Sequence, residues 1–117
     1  MPLEIKPAQA LRLWRQVHLD LVRDDEPDLS ARQTAILLTI YLELPPHTVR
    51  GLAQQLGVTK PVITRALDTM GKLGLVSRRR DERDRRNVII QRTVAGALAV
   101  ERLADLVTER AREMGGS

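Results

Sequence analysis

The sequence predicts a mainly α-helical fold with one small β-hairpin. Three observations predict it. Apolar residues recur at helical spacing in five separate stretches. Two of those stretches meet at a very short glycine-containing turn in mid-chain. Directly after them, two short apolar and β-branched runs flank an arginine-rich turn. The order is helix, helix, helix-turn-helix, hairpin, helix.

Pro7 opens a first helix that runs to about Arg23, with Ala10, Leu13, Trp14, Val17 and Leu21 on one stripe. Trp14 reads as a core side chain rather than the wall of a ligand pocket. Leu11, Leu19 and Val22 lie off the stripe. The polar run from Asp24 to Asp28 reads as a loop. Ser30, followed three residues later by Gln33, is a capping-box signature for a second helix. That helix directs Ile36, Leu37, Ile40, Tyr41 and Leu44 inward and ends at Pro45-Pro46, which cannot continue a hydrogen-bond ladder.

Thr48 is expected to cap a short third helix with Leu52, Ala53 and Leu56 inside, and Gly57 to stop it in the left-handed conformation. Thr59 then caps a fourth helix, with Pro61 in its first turn, where backbone donors lack intrahelical partners. Ile63, Ala66, Leu67, Met70 and Leu73 face inward, and Gly74 ends the run. Strands follow at 75–79 and 87–92, with a turn between them. Thr93 caps a fifth helix reaching about Met114, and the Gly115–Ser117 tail reads as a frayed end.

The 117 residues fit one domain, 1–117. A content of 43% hydrophobic residues is too high for a disordered tail, yet no apolar run approaches the ~18 residues of a membrane span. The first residues lack the basic-then-apolar order of a secretory signal, so a cytoplasmic protein is expected, without membrane association. Absence of cysteine excludes disulfides, thiolate catalysis and Cys-based zinc sites.

The formal charge of +4 is concentrated. Residues 78–86 read Arg-Arg-Arg-Asp-Glu-Arg-Asp-Arg-Arg, six arginines against three acids, which points to a polyanionic partner. Trp14 and Tyr41 are the only aromatics, too few for the stacking platform that single strands require, so duplex nucleic acid is the expected partner.

Helix four has the layout of a recognition helix. Pro61, Thr64, Arg65, Asp68 and Lys72 share the face opposite the core residues, and Thr59 and Lys60 precede them. Arg65 can donate two parallel hydrogen bonds to guanine O6 and N7, Thr64 can meet a thymine methyl or a phosphate, and Lys60 suits a phosphate. A solvated charged face is the ordinary alternative; the arginine-rich hairpin that follows makes it the weaker one. In that hairpin Asp81, Glu82 and Asp84 are expected to hold arginines in place. Asp84 pairs inside the loop, and Arg85 or Arg86 projects toward a minor groove.

The series Leu52-Ala53-x-x-Leu56-Gly57-Val58-Thr59-x-x-Val62-Ile63-Thr64-Arg65-x-x-Asp68, Leu73-Gly74-Leu75-Val76 and Arg79-Arg80-Asp81-Glu82-Arg83-Asp84-Arg85-Arg86 resembles the MarR family of winged helix-turn-helix transcription regulators, over about residues 30–100. The resemblance implies a homodimer that binds a pseudopalindromic duplex, usually as a repressor, with helix 59–73 in the major groove and wing 79–87 in the minor groove. A small-molecule effector is a further implied partner. The DNA-binding set is then Thr59, Lys60, Pro61, Thr64, Arg65, Arg79, Arg80, Arg83, Asp84, Arg85 and Arg86. Two departures stand out: one helix follows the wing where family members commonly have a further one, and Arg92 occupies a commonly apolar position.

The terminal helices point to a dimer independently. The last has Val100, Leu103, Ala104, Val107, Ala111 and Met114 along one stripe, with Leu98 and Leu106 off its centre, and the first carries its second apolar set. Helices 6–23 and 94–114 are therefore expected to dimerise, with Leu11, Trp14, Leu103, Leu106, Val107 and Met114 at the interface, around a DNA-binding lobe at 30–92. The rival reading is a winged-helix protein-interaction module, adaptor or antitoxin-like, that does not read DNA sequence. An enzyme is not expected. His18 and His47 lack a third ligand at metal spacing, the acidic run lacks the EF-hand pattern, and no phosphate-binding glycine loop or serine triad is evident, so neither metal nor cofactor is implied.

Overall fold

The computed structural model describes residues 4–115; the first three residues, and the Gly116 and Ser117 part of the expected frayed end, lie outside that range. The chain orders as α1 (Pro7–Arg23), α2 (Ala31–Leu42), β1 (His47–Thr48), α3 (Val49–Leu56), α4 (Lys60–Lys72), β2 (Val76–Arg80), β3 (Val88–Arg92) and α5 (Val94–Gly115). It forms two compact units. One holds the residues up to Asp28 together with those from Glu101 onward, and the other is Leu29–Val100. Among the described residues no helix is long and apolar enough to cross a membrane.

The Leu29–Val100 unit is built around Ile36, Leu37 and Ile40 of α2, Leu52 of α3, and Ile63, Leu67 and Met70 of α4, all fully buried. Val76 and Ile90 close this core from the sheet. Local chemistry sets the helix ends. Ser30 Oγ accepts from Gln33 N at 3.0 Å while Gln33 Oε1 accepts from Ser30 N at 2.8 Å, the reciprocal box read from the sequence. Thr48 Oγ1 accepts from Gly51 N at 2.9 Å, and Gly57, at φ 69°, ends α3 in the left-handed region that favours glycine. Thr59 occupies the N-cap of α4, but the capping acceptor is its backbone carbonyl, which receives Val62 N and Ile63 N; its hydroxyl makes no cap.

Several expectations are corrected. A third strand exists. β1 pairs antiparallel with β3, His47 opposite Ile90 and Thr48 opposite Ile89, giving the order β1-β3-β2. Two residues are too short for a readable alternation, and their partners, Ile89 and Ile90, lie far along the chain. Helix α2 stops at Leu42, so Leu44 does not face inward and is 90% exposed. Helical phase no longer applies beyond the C-cap Glu43, whose backbone is extended. Strand β2 is shifted one residue along the chain at both ends, which takes Arg80 into it, and β3 starts one residue later than expected.

Tyr41 joins α2 to the start of α5. Its hydroxyl donates to the Leu75 carbonyl at 2.7 Å and accepts from Thr93 N at 2.9 Å. Thr93 Oγ1 accepts from Gly96 N at 2.9 Å, the expected cap, and donates to the Gly74 carbonyl at 2.6 Å. Gly96 is buried directly beneath this knot. Arg92 meets the end of α2: Nε donates to the Ile40 carbonyl and Nη2 to the Glu43 carbonyl, each at 2.8 Å. These are orphan carbonyls of a helix C-terminus, where a cation is favoured. The guanidinium also lies 5.8 Å from the Tyr41 ring centroid. An apolar residue at position 92 could do none of this.

In the other unit, Val17 is buried, but Trp14 is 62% exposed and is not a core side chain. The 3.6-residue spacing put both on one stripe without fixing how wide the covered part of it is. Arg110 grips Asp20 with two hydrogen bonds, Nε to Oδ2 at 2.6 Å and Nη2 to Oδ1 at 2.9 Å, and also reaches Glu113 at 3.0 Å.

Candidate nucleic-acid interface

Helix α4 sorts its residues by phase. Ile63, Ala66, Leu67 and Met70 are buried, while Thr64, Arg65, Asp68 and Lys72 are exposed along one ridge. Thr59, Lys60 and Pro61 are exposed at its N-terminal end. Pro61 occupies the first turn without loss of a ladder bond. Arg65 has no hydrogen bond or ion pair from its guanidinium within the described residues, so all its donors remain available.

The hairpin is braced from within. β2 and β3 pair in register from Val76 opposite Arg92 to Arg80 opposite Val88. At the tip Asp81 N donates to the Asn87 carbonyl at 3.0 Å and Asn87 N to the Asp84 carbonyl at 2.9 Å. Arg80 Nη1 donates to the Arg85 carbonyl at 2.9 Å, so Arg80 works as a cross-brace. Asp84 Oδ1 accepts from both the backbone N and the Nε of Arg86, each at 3.1 Å. Asp84 is therefore the acid that pairs inside the loop, while the Arg86 side chain remains 84% exposed. Those Arg86 hydrogen bonds, side chain first and backbone second, hold the Asp84 carboxyl below its ordinary range, and the charge of Arg50 adds to the effect.

The other acids behave differently from expectation. Asp81 accepts the backbone N–H of Arg83 at 2.9 Å instead of a guanidinium, and Glu82 forms no ion pair among the described residues. A nearby backbone donor satisfies Asp81 at lower conformational cost than a flexible arginine would. Arg79, Arg83 and Arg85 present exposed side chains.

The ridge and the hairpin are tied together by a pair that no local sequence pattern announces. Arg78 Nη1 donates to Asp68 Oδ1 at 2.8 Å. The Arg78 guanidinium also passes near Gly71, where an added Cβ would make only an ordinary van der Waals contact with Nη2, at 3.8 Å. The signal was present only as an acid on the outer face of helix four and an arginine at the start of the wing, ten residues apart. An open groove of about 630 Å³ follows this contact, lined by Asp68, Gly71, Lys72, Val76, Ser77 and Arg78.

Of the residues assigned to a dimer, Leu11 is 70% and Val107 40% exposed, with Trp14 exposed as above; Leu103, Leu106 and Met114 are half-buried. His18 Nδ1 donates to the Trp14 carbonyl at 2.8 Å, and the two rings meet edge-on at 4.4 Å. Among the described residues no group of three or more His, Asp or Glu side chains is arranged to hold a metal ion.

Comparison with known proteins gives a consistent set. The model of the MarR family matches residues 29–88. An organic hydroperoxide resistance transcriptional regulator of Bacillus subtilis (strain 168) is 33% identical over 82 residues, covering 70% of this chain. The chain spans about half the length of that curated relative, 55% of it. The solved structure of the transcriptional repressor CouR bound to a 23-mer DNA duplex is 26% identical, with a TM-score of 0.72, covering 90% of this chain and 71% of that one. The YusO protein of Bacillus subtilis, 16% identical, shares the fold at a TM-score of 0.77, with 94% of this chain and 76% of that one covered.

Proposed function

The chain belongs to the MarR family, whose members are DNA-binding winged-helix transcription regulators and not enzymes, and from this premise we propose that it is a repressor that binds a pseudopalindromic duplex as a homodimer. Helix α4 lies in the major groove and the β2–β3 hairpin in the flanking minor groove. Thr64 and Arg65 read base edges, while Thr59, Lys60 and Pro61 bring the first turn against a phosphate. Arg79, Arg83, Arg85 and Arg86 engage the backbone and the minor groove, with Asp84 and Arg80 holding the tip in shape.

One observation carries this reading. The exposed Thr64–Arg65 ridge and the arginine hairpin belong to one compact unit and are bound to each other through Asp68 and Arg78. A duplex that meets one therefore meets the other without the two having to be ordered separately. The DNA-bound repressor CouR, 26% identical, supports the choice of duplex and of repression. The homodimer rests on the exposed Leu11, Trp14 and Val107. Two copies would set their recognition helices about 34 Å apart, one turn of B-DNA.

The hydroperoxide response of the Bacillus subtilis relative is not carried over. These 117 residues contain no cysteine, and the thiolate is the side chain most readily oxidised by a peroxide.

The test is selection of bound fragments from sheared genomic DNA, followed by footprinting. The expected result is a site with two inverted half-sites centred about 10 base pairs apart. Uniform binding to all fragments, or a single unrepeated half-site, would overturn the specific or the dimeric part respectively.

A further inference from the structure

We infer that Arg50, on the first turn of α3, is an additional phosphate-binding residue that extends the grip of the hairpin onto the helix-turn-helix. The inference rests on the DNA-binding reading above and adds a contact that neither the recognition helix nor the hairpin supplies.

The geometry comes from the sheet. Strand β1 runs antiparallel to β3 with Thr48 opposite Ile89. The chain leaves β1 into α3 at Val49, travelling toward the end of β3 that begins at Val88. That end is the base of the hairpin tip, where Asp84, Arg86 and Asn87 lie. Backbone pairing thereby brings the start of α3, and Arg50 in its first turn, to the hairpin end of the sheet. Its charge reaches the Asp84 carboxyl.

The electrostatics then favour an external anion. Asp84 is already engaged by Arg86 through two side-chain hydrogen bonds, at 3.1 Å and 3.4 Å. Arg50 is exposed and forms no ion pair among the described residues. Asp84 is thus taken up by Arg86, and the exposed Arg50 charge at the same end of the sheet has no ion-pair partner among the described residues. A backbone phosphate beside the groove entered by the hairpin has the charge, and the paired acceptor oxygens, that this arrangement lacks. If Arg50 served only to neutralise Asp84, Arg86 would leave it little to do.

Fluorescence anisotropy with a labelled random-sequence duplex of about 30 base pairs, titrated over a salt series, tests this for the wild type, Arg50→Gln and Arg50→Lys. The expected result is a slope of log affinity against log salt that is smaller by about 1 for Arg50→Gln and largely restored for Arg50→Lys. The wild-type advantage over Arg50→Gln should shrink by about 3.5-fold between ~50 and ~200 mM salt. Preference among selected duplexes should stay unchanged, because a phosphate contact carries no sequence information. An Arg50→Gln slope equal to wild type, with duplex binding intact, overturns the Arg50 role alone. Absence of salt-dependent duplex binding by the wild type overturns both this role and the function it rests on. A melting temperature unchanged in Arg50→Gln shows that the loss is one of contact rather than of folding.

Discussion

Arg78 of β2 and Asp68 of α4 form an ion pair of 2.8 Å that links the exposed ridge of the helix to the first strand of the arginine hairpin. Both side chains keep solvent access, at 34% and 51%. A pair this exposed contributes only about 0.2–1 kcal/mol to stability. Its value lies in orientation: Arg65 sits one helical turn from Asp68, so a hairpin that swings also moves relative to the ridge. Asp68→Asn should leave the melting temperature nearly unchanged and weaken binding to a selected duplex by up to about fivefold, the scale of one such pair. Anisotropy and calorimetry on the same samples check the split. A large fall in melting temperature would show that the pair holds the fold rather than the geometry.

Arg65 and Arg86 should fail in different ways. Arg65→Ala removes a bidentate donor from the ridge and should cost about 1–3 kcal/mol of discrimination at one base pair. Arg86→Ala should weaken all duplexes alike and lower the salt slope by about 1. Competition between a selected duplex and its single-base variants separates the two. Equal loss on every duplex for Arg65→Ala would remove its base-reading role.

How far these residues could be read in advance depends on the range of the signal. The caps at Ser30, Thr48 and Thr93 and the stop at Gly57 are encoded within four residues and were legible. So were the buried Ile63, Ala66, Leu67 and Met70 of α4 and the Asp84 pairing within the tip; Leu73, expected inward, lies at the C-cap beyond the last turn and is 37% exposed. What escaped depends on distant partners. Strand β1 exists because of Ile89 and Ile90, and Arg78 finds Asp68 across a helix and a turn. Arg92 looked like a departure from an apolar position, yet it answers two carbonyls at the end of α2. Leu44 and Trp14 show the opposite failure. Periodicity assigns a direction but does not say where a helix stops or how far its neighbours extend.

Gly96 marks a place where no side chain fits. An added Cβ would land on the Tyr41 hydroxyl and the Leu75 carbonyl. Elsewhere in a helix alanine would gain about 0.5–1 kcal/mol over glycine. Here Gly96→Ala should instead destabilise by about 1–3 kcal/mol, because the Tyr41–Thr93–Gly74 knot must move apart. Tyr41→Phe should cost about 1–3 kcal/mol by a separate route, leaving Thr93 N and the Leu75 carbonyl without that partner. Urea denaturation of both variants checks the sign; a Gly96→Ala variant more stable than wild type would mean that the knot is not closed.

Asp20 makes stability depend on pH at the acid end. The Arg110 hydrogen bonds hold its carboxyl below the ordinary value, against a smaller opposing effect of desolvation. A depressed folded value means that the unfolded chain takes up the proton first as pH falls. The contribution is therefore complete above the ordinary carboxylate value of about 3.9 and is lost as pH drops through the lower folded value. Asp20→Asn should lower the melting temperature at pH 7 and flatten its decline below pH ~4, the window of carboxylate protonation. Arg110 would keep Glu113 as a partner, so the loss should be smaller than for Arg110→Ala. Equal acid limbs for wild type and Asp20→Asn would show that the pair does not form in solution.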